Sequence, residues 1–312
     1  MGSQYFILHS ILFWSASCQN AGPSLQLDYS FQTTIEEYPM GYSSASFAIS
    51  KDIVYVLNGA NVGNNILKFD LLGNYIEQYP GWYNFPVDMI IGGPGEDQVL
   101  MSAIGAKGDD NMLRFGMVLY NTSGEFFHGL QEAETGLKRP YGLTNVPDSD
   151  QVAVCDWDNN RTVIMEVDWE EGVVTDVHDL IELPYPFRMT MTEEKIIILS
   201  SVCCQPWHDQ LIKMSVFDLL GNLVVEVKEL PTGEVIKNPV AITIDHFGNI
   251  LLADLDLGLM IFSGEAEYVD KLAVEGVPEK MMFNDGKLFV LTDVETGENK
   301  MDSFISVYSY SY

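Results

Sequence analysis

The sequence predicts an all-β fold, a six-bladed β-propeller with four antiparallel strands per blade and a ring closed by the N-terminal strand. Three observations carry this. A glycine turn recurs at Gly73, Gly124, Gly172, Gly221 and Gly264, in steps of 51, 48, 49 and 43 residues. A period of this length is that of propeller blades. The string FDLLGN stands at both 69–74 and 217–222. The composition is that of a β protein, with 12% aromatic residues, 26 glycines and many short Val/Ile runs.

Each period has the same grammar. A proline-led strand opens it, at 85–91, 139–146, 185–191, 238–244 and 277–283. Proline has no N–H to give a neighbour, so it suits the first residue of a strand. A turn with Gly or an acid follows, as at 245–249 and 284–287. Apolar second strands start near Ile53, Gln98, Gln151, Lys195, Asn249 and Lys287, which makes six blades. A third strand, the glycine turn and a fourth strand complete each period. A lone four-stranded sheet cannot bury both faces, whereas blades packed radially cover one another. The sixth period ends after its third strand at 305–312, and an unassigned strand, LQLDYSFQ, lies at 25–32. Pairing the two completes the last blade and leaves no long unpaired edge.

Residues 1–18 read as a signal-peptide-like segment, 19–24 as a tether and 25–312 as the propeller. The apolar run at 5–18 ends in small residues before Cys18, a candidate lipid anchor, so export to the cell envelope or beyond is expected. No stretch approaches the roughly 18–20 apolar residues of a membrane span. The chain carries 45 acidic against 16 basic residues, a net charge of −29. Nucleic-acid affinity comes from cationic side chains that displace counterions, so nucleic acid is excluded as a partner. A protein or a glycan fits better.

Residues 239–264, PVAITIDHFGNILLADLDLGLMIFSG, and the Asp-x-x-Asn-x-Arg element at Asp156, Asn159 and Arg161 resemble the NHL-repeat six-bladed propellers. The resemblance covers about 40–312 and implies architecture. Propellers of this type include protein-binding, RNA-binding and catalytic modules, so it implies no single activity.

Two sets of candidate residues follow. The starts of the first strands (Ala45, Asp88, Gly142, Arg188, Ala241, Lys280) and the ends of the second strands should ring one mouth of the central channel. Asp88, Asn58, Asp156 and Asp254 there supply the oxygen ligands that a hard cation such as calcium takes. The connections after the second strands are long in alternate blades, at 103–116, 201–210 and 293–303. Long connections on one face mark a binding surface. Trp207, His208, Asp209, Asp109, Asp110, Arg188 and Tyr141 are its candidate residues, with Trp207 as the anchor. No P-loop, nucleophile elbow or paired-histidine zinc motif occurs. The expectation is therefore a non-enzymatic binding or scaffold propeller without a cofactor. The second reading is a calcium-dependent hydrolase or lyase with a channel metal.

Overall fold

Five of the six sheets open on or beside a proline, and in all six the first strand is interrupted at the same place. The computed structural model describes residues 24–33, 44–58, 65–80, 86–93, 95, 98–107, 113–201, 212–274, 276–297 and 300–311. Within them lie six sheets of four antiparallel strands. The second strands begin at Ile53, Gln98, Val152, Lys195, Ile250 and Lys287, within one residue of the sequence expectation. Blades 1 to 5 take their four strands in chain order. Blade 6 takes three strands from the C-terminus and its outermost from Ser24–Gln32, which pairs with Lys300–Ser311. The ring closes as the sequence predicts.

Burial is deepest in the second strands and falls toward the outer edge of each blade. The second strands Val152–Asp156 and Ile250–Asp254 are buried at every position. A blade's second strand is covered on both faces by its neighbours, so a continuous apolar run replaces alternation. The N-terminal strand, by contrast, has no buried residue. The clusters of core side chains cross from blade to blade: one joins Trp157 of blade 3 to Phe187, Ile197 and Met214 of blade 4 and Phe262 of blade 5.

The glycine turns seal adjacent blades. Gly73 and Gly124 sit at φ +82° and +87°, a region that favours glycine. A Cβ at Gly73 would overlap the Phe31 ring, and one at Gly124 the Tyr79 ring. Each ring belongs to the outer strand of the preceding blade. Gly124→Ala is therefore expected to destabilise by more than about 1 kcal/mol, since φ strain adds to the overlap. A denaturant midpoint equal to that of the parent would refute this seal.

The channel-lining strands are Ser44–Ser50, Pro86–Gly92, Pro140–Asn145, Pro186–Met191, Pro239–Ile244 and Val277–Asn284. Each has a bulge just after its start, between Ser44 and Ser46, Pro86 and Asp88, Pro140 and Leu143, Pro186 and Arg188, Pro239 and Ala241, and Pro278 and Lys280. A bulge leaves one residue unpaired and re-aims the side chains beside it. It also corrects the sequence register by one residue. Ser46, not Ala45, is the counterpart of Asp88, Arg188 and Lys280.

Two of the three long connections prove to be extended hairpins. In blade 2 the ladder continues to Lys107 opposite Leu113, and in blade 6 to Gly297 opposite Lys300. Both rise on the channel face where the first strands start. No helix among the described residues is long and apolar enough to cross a membrane.

Candidate active site at the channel mouth

The bulges bring three charged side chains from alternate blades toward the channel: Asp88 from blade 2, Arg188 from blade 4 and Lys280 from blade 6. Asp88 is 1% exposed. Its Oδ1 accepts from Ser46 Oγ at 2.9 Å, from its neighbour's amide, Met89 N, at 2.9 Å, and from Lys280 Nζ. Its Oδ2 accepts from Leu143 N of blade 3 at 3.0 Å. One carboxylate thus ties blades 1, 2, 3 and 6. Burial pushes the Asp88 carboxyl up, but the charges of Lys280 and Arg188 outweigh it and hold it below the usual carboxylate range. Arg188 donates from Nε to Val240 O of blade 5 at 3.1 Å and from Nη1 to Phe187 O at 3.2 Å. Among the described residues its Nη2 meets no acceptor. Its guanidinium carbon stands 5.8 Å from the centre of the Tyr141 ring.

Glu279 is the bulged residue of blade 6. The corresponding residues elsewhere are Ala45, Val87, Tyr141, Phe187 and Val240, so five blades are apolar where the sixth carries an acid. Glu279 is half-buried, and no hydrogen bond or ion pair closes on it among the described residues. Burial raises its pKa, the charge of Asp293 raises it further and Arg188 opposes both; the result is about 7, against 4.5 for an ordinary glutamate. A carboxyl poised there exchanges a proton at neutral pH, which general acid–base catalysis requires. Asp293 accepts from Ser303 Oγ at 2.6 Å across the base of the extended blade 6 hairpin. Sequence reading missed Glu279 because it followed strand starts rather than the position after the proline. Aligning the six periods at that position would have shown one acid among apolar residues.

The other expected site residues are placed differently. Asp156 and Asp254 are fully buried, and their oxygens are committed locally. Asp156 accepts from Lys138 N and Arg139 N at 3.1 and 3.0 Å, and from Asn159 Nδ2 and Arg161 Nε at 2.6 and 3.3 Å. Asp254 accepts from Lys237 N, Asn238 N, Asp256 N and Leu257 N, all within 3.1 Å. These acids hold the loop between blades. Asn58 ends the second strand of blade 1, with its side chain outside the described residues. A hard cation takes six to eight oxygens. Asp88, already holding an ammonium, and the two loop-holding acids do not fit one. No group of three His, Cys, Asp or Glu is placed for a metal among the described residues. Tyr141 is 4% exposed and packs on Trp157, ring centres 5.6 Å apart, so it belongs to the core. Trp207, His208, Asp209, Asp109 and Asp110 lie outside the described residues.

No protein-family profile matches this chain. No curated protein matches it in sequence. Solved structures do. A gluconolactonase from Xanthomonas campestris overlays 93% of this chain and 99% of its own, at 12% identity and TM-score 0.57. A luciferin-regenerating enzyme overlays 92% of this chain and 95% of its own, at 11% identity and TM-score 0.57. A nidogen/laminin complex matches over 75% of this chain and 81% of the other, at 13% identity and TM-score 0.55. The likeness is one of fold. It corrects the expectation of a non-enzymatic scaffold: propellers that span nine-tenths of this chain include named enzymes. The lack of a familiar motif was therefore no argument against catalysis.

Proposed function

We propose that this protein is a hydrolase of small uncharged carboxylic esters, lactones foremost, acting at the channel mouth with Glu279 as general base. The observation that carries this is the Glu279 carboxyl, alone at its repeat position and pushed up to about 7 beside Arg188. The gluconolactonase with the same fold supports the choice of bond. Glu279 takes a proton from water as the water oxygen bonds to the acyl carbon. The carbonyl oxygen gains its negative charge beside Arg188, whose Nη2 is available to donate. Collapse breaks the acyl–oxygen bond, and Glu279 returns the proton to the departing alkoxide. One water is consumed, and a lactone yields one hydroxy acid.

Charge decides against a phosphorylated substrate. With Glu279 ionised, as a base must be, the acids Asp88, Asp293 and Glu279 outnumber Arg188 and Lys280 at the site. The net charge of −29 repels further anions. The test is a pH-stat assay against neutral lactones, neutral open-chain esters and a phosphorylated lactone. Acid release from the neutral lactones and not from the phosphorylated one is expected. No release from any neutral ester would overturn the reading.

A further inference from the structure

We propose that the channel carries its own cation: the Lys280 ammonium seated on Asp88, backed by the Arg188 guanidinium, supplies the site's positive charge in place of a divalent metal ion. The argument is one of occupancy and valence. Asp88 is the one acid of the expected metal set whose carboxylate links the channel strands, and four donors already use its two oxygens, Ser46 Oγ, Met89 N, Leu143 N and Lys280 Nζ. The Lys280 side chain is 13% exposed and that of Asp88 2%, so the pair is shielded from water. A divalent ion entering here would have to displace the ammonium and strip Asp88 of its donors. The two remaining acids of that set, Asp156 and Asp254, are turned to backbone amides at the blade junctions. Lys280 Nζ donates to Asp88 alone among the described residues and keeps two protons to direct into the channel. A tethered ammonium acts as a point charge of fixed position.

For the reaction this rests on the hydrolase reading, but the occupancy of the channel is tested without any substrate. Thermal melts of the whole chain are run with calcium, magnesium, manganese, zinc or a chelator. Wild type is expected to melt at one temperature in all of them, because an ion that binds only the folded state raises the melting temperature with concentration. Lys280→Ala should melt lower, and propylammonium should restore the loss in a concentration-dependent manner by entering the vacated site. Lys280→Arg, which keeps the charge, should melt close to wild type. If Lys280→Ala does not fold, its refolding in propylammonium reads the same site, and the wild-type arm decides alone if it refolds in neither. A rise for wild type with any of the four metals, or rescue of Lys280→Ala by calcium and not by propylammonium, would overturn the proposal. The hydrolase reading fails on a different result, the absence of ester cleavage. Chelator-insensitive ester cleavage joins the two.

Discussion

Glu279→Gln should cut ester hydrolysis by about 10²–10⁴-fold, the usual share of a positioned base, and should make the protein more stable at alkaline pH. The second half follows from linkage. Glu279 titrates at about 7 when folded, above the 4.5 of an ordinary glutamate. Between those values the folded chain keeps a proton that the unfolded chain has released. Stability from this group is therefore full below about pH 4.5, is lost as pH rises through 7, and stays lost above it. The gap is worth at most about 3 kcal/mol. Glutamine is neutral throughout and removes this slope. Melting curves of both proteins between about pH 5 and pH 8 should converge in acid and separate in base, with the variant higher. Burial sets most of the shift, Asp293 adds to it and Arg188 opposes it; Lys280 and Asp88 are the other charged groups in contact with this cluster. Parallel curves would show an ordinary surface carboxylate, and an unchanged kcat would remove Glu279 from the chemistry.

Asp88→Asn should be the most damaging isosteric change in the channel. It leaves the Lys280 ammonium without the carboxylate it is bonded to and removes a charge that acts on Arg188, and breaking a buried ion pair from one side costs about 3–5 kcal/mol. The four donors from blades 1, 2, 3 and 6 that share two carboxylate oxygens are left with one amide oxygen. The pH dependence runs opposite to that of Glu279. Asp88 is held below its ordinary 3.8, so its stabilisation is present above that value and fades as pH falls through the folded pKa. The deficit of Asp88→Asn should thus be full at neutrality and shrink in strong acid. Combining it with Lys280→Met should cost less than the two single changes together, by about 0.5–3 kcal/mol. Additive losses measured by denaturant unfolding would dissolve the pair.

Much of the architecture was legible because repetition multiplies weak signals. No single turn proves a blade, but five glycines at nearly equal steps do, and they placed every second strand within one residue. The closing strand was legible as a remainder, the piece that no period used. The site was harder to read. Asp156 and Asp254 looked like cation ligands because chain order does not show where a carboxylate points; both face the amides of the preceding loop. Tyr141 looked like a contact residue for the same reason, although Trp157 and Phe187 enclose it. Arg188 and Lys280 were legible as first-strand positions, and the ladders place both just after the bulge. Glu279, one position earlier, escaped because the bulge breaks the two-residue alternation on which the reading of strands depends. The extended hairpins of blades 2 and 6 read as loops because glycines and acids interrupt their apolar pattern.

The closure of the ring also sets a timetable. The N-terminal strand is made first, yet its partner is made last, and Ser24 and Ser311, joined through their hydroxyls, stand 287 positions apart. At ribosomal speeds of about 5–20 residues per second, that strand waits roughly 15–60 s for its partner. One face of that strand is polar, with Ser24, Gln26, Asp28, Ser30 and Gln32, while Leu25, Tyr29 and Phe31 on the other wait to join the core. Blades 1 to 5 can form as they emerge, each from adjacent hairpins. Only the last blade needs a distant pairing, so the slow step of assembly is confined to one seam, between the first strand and the last.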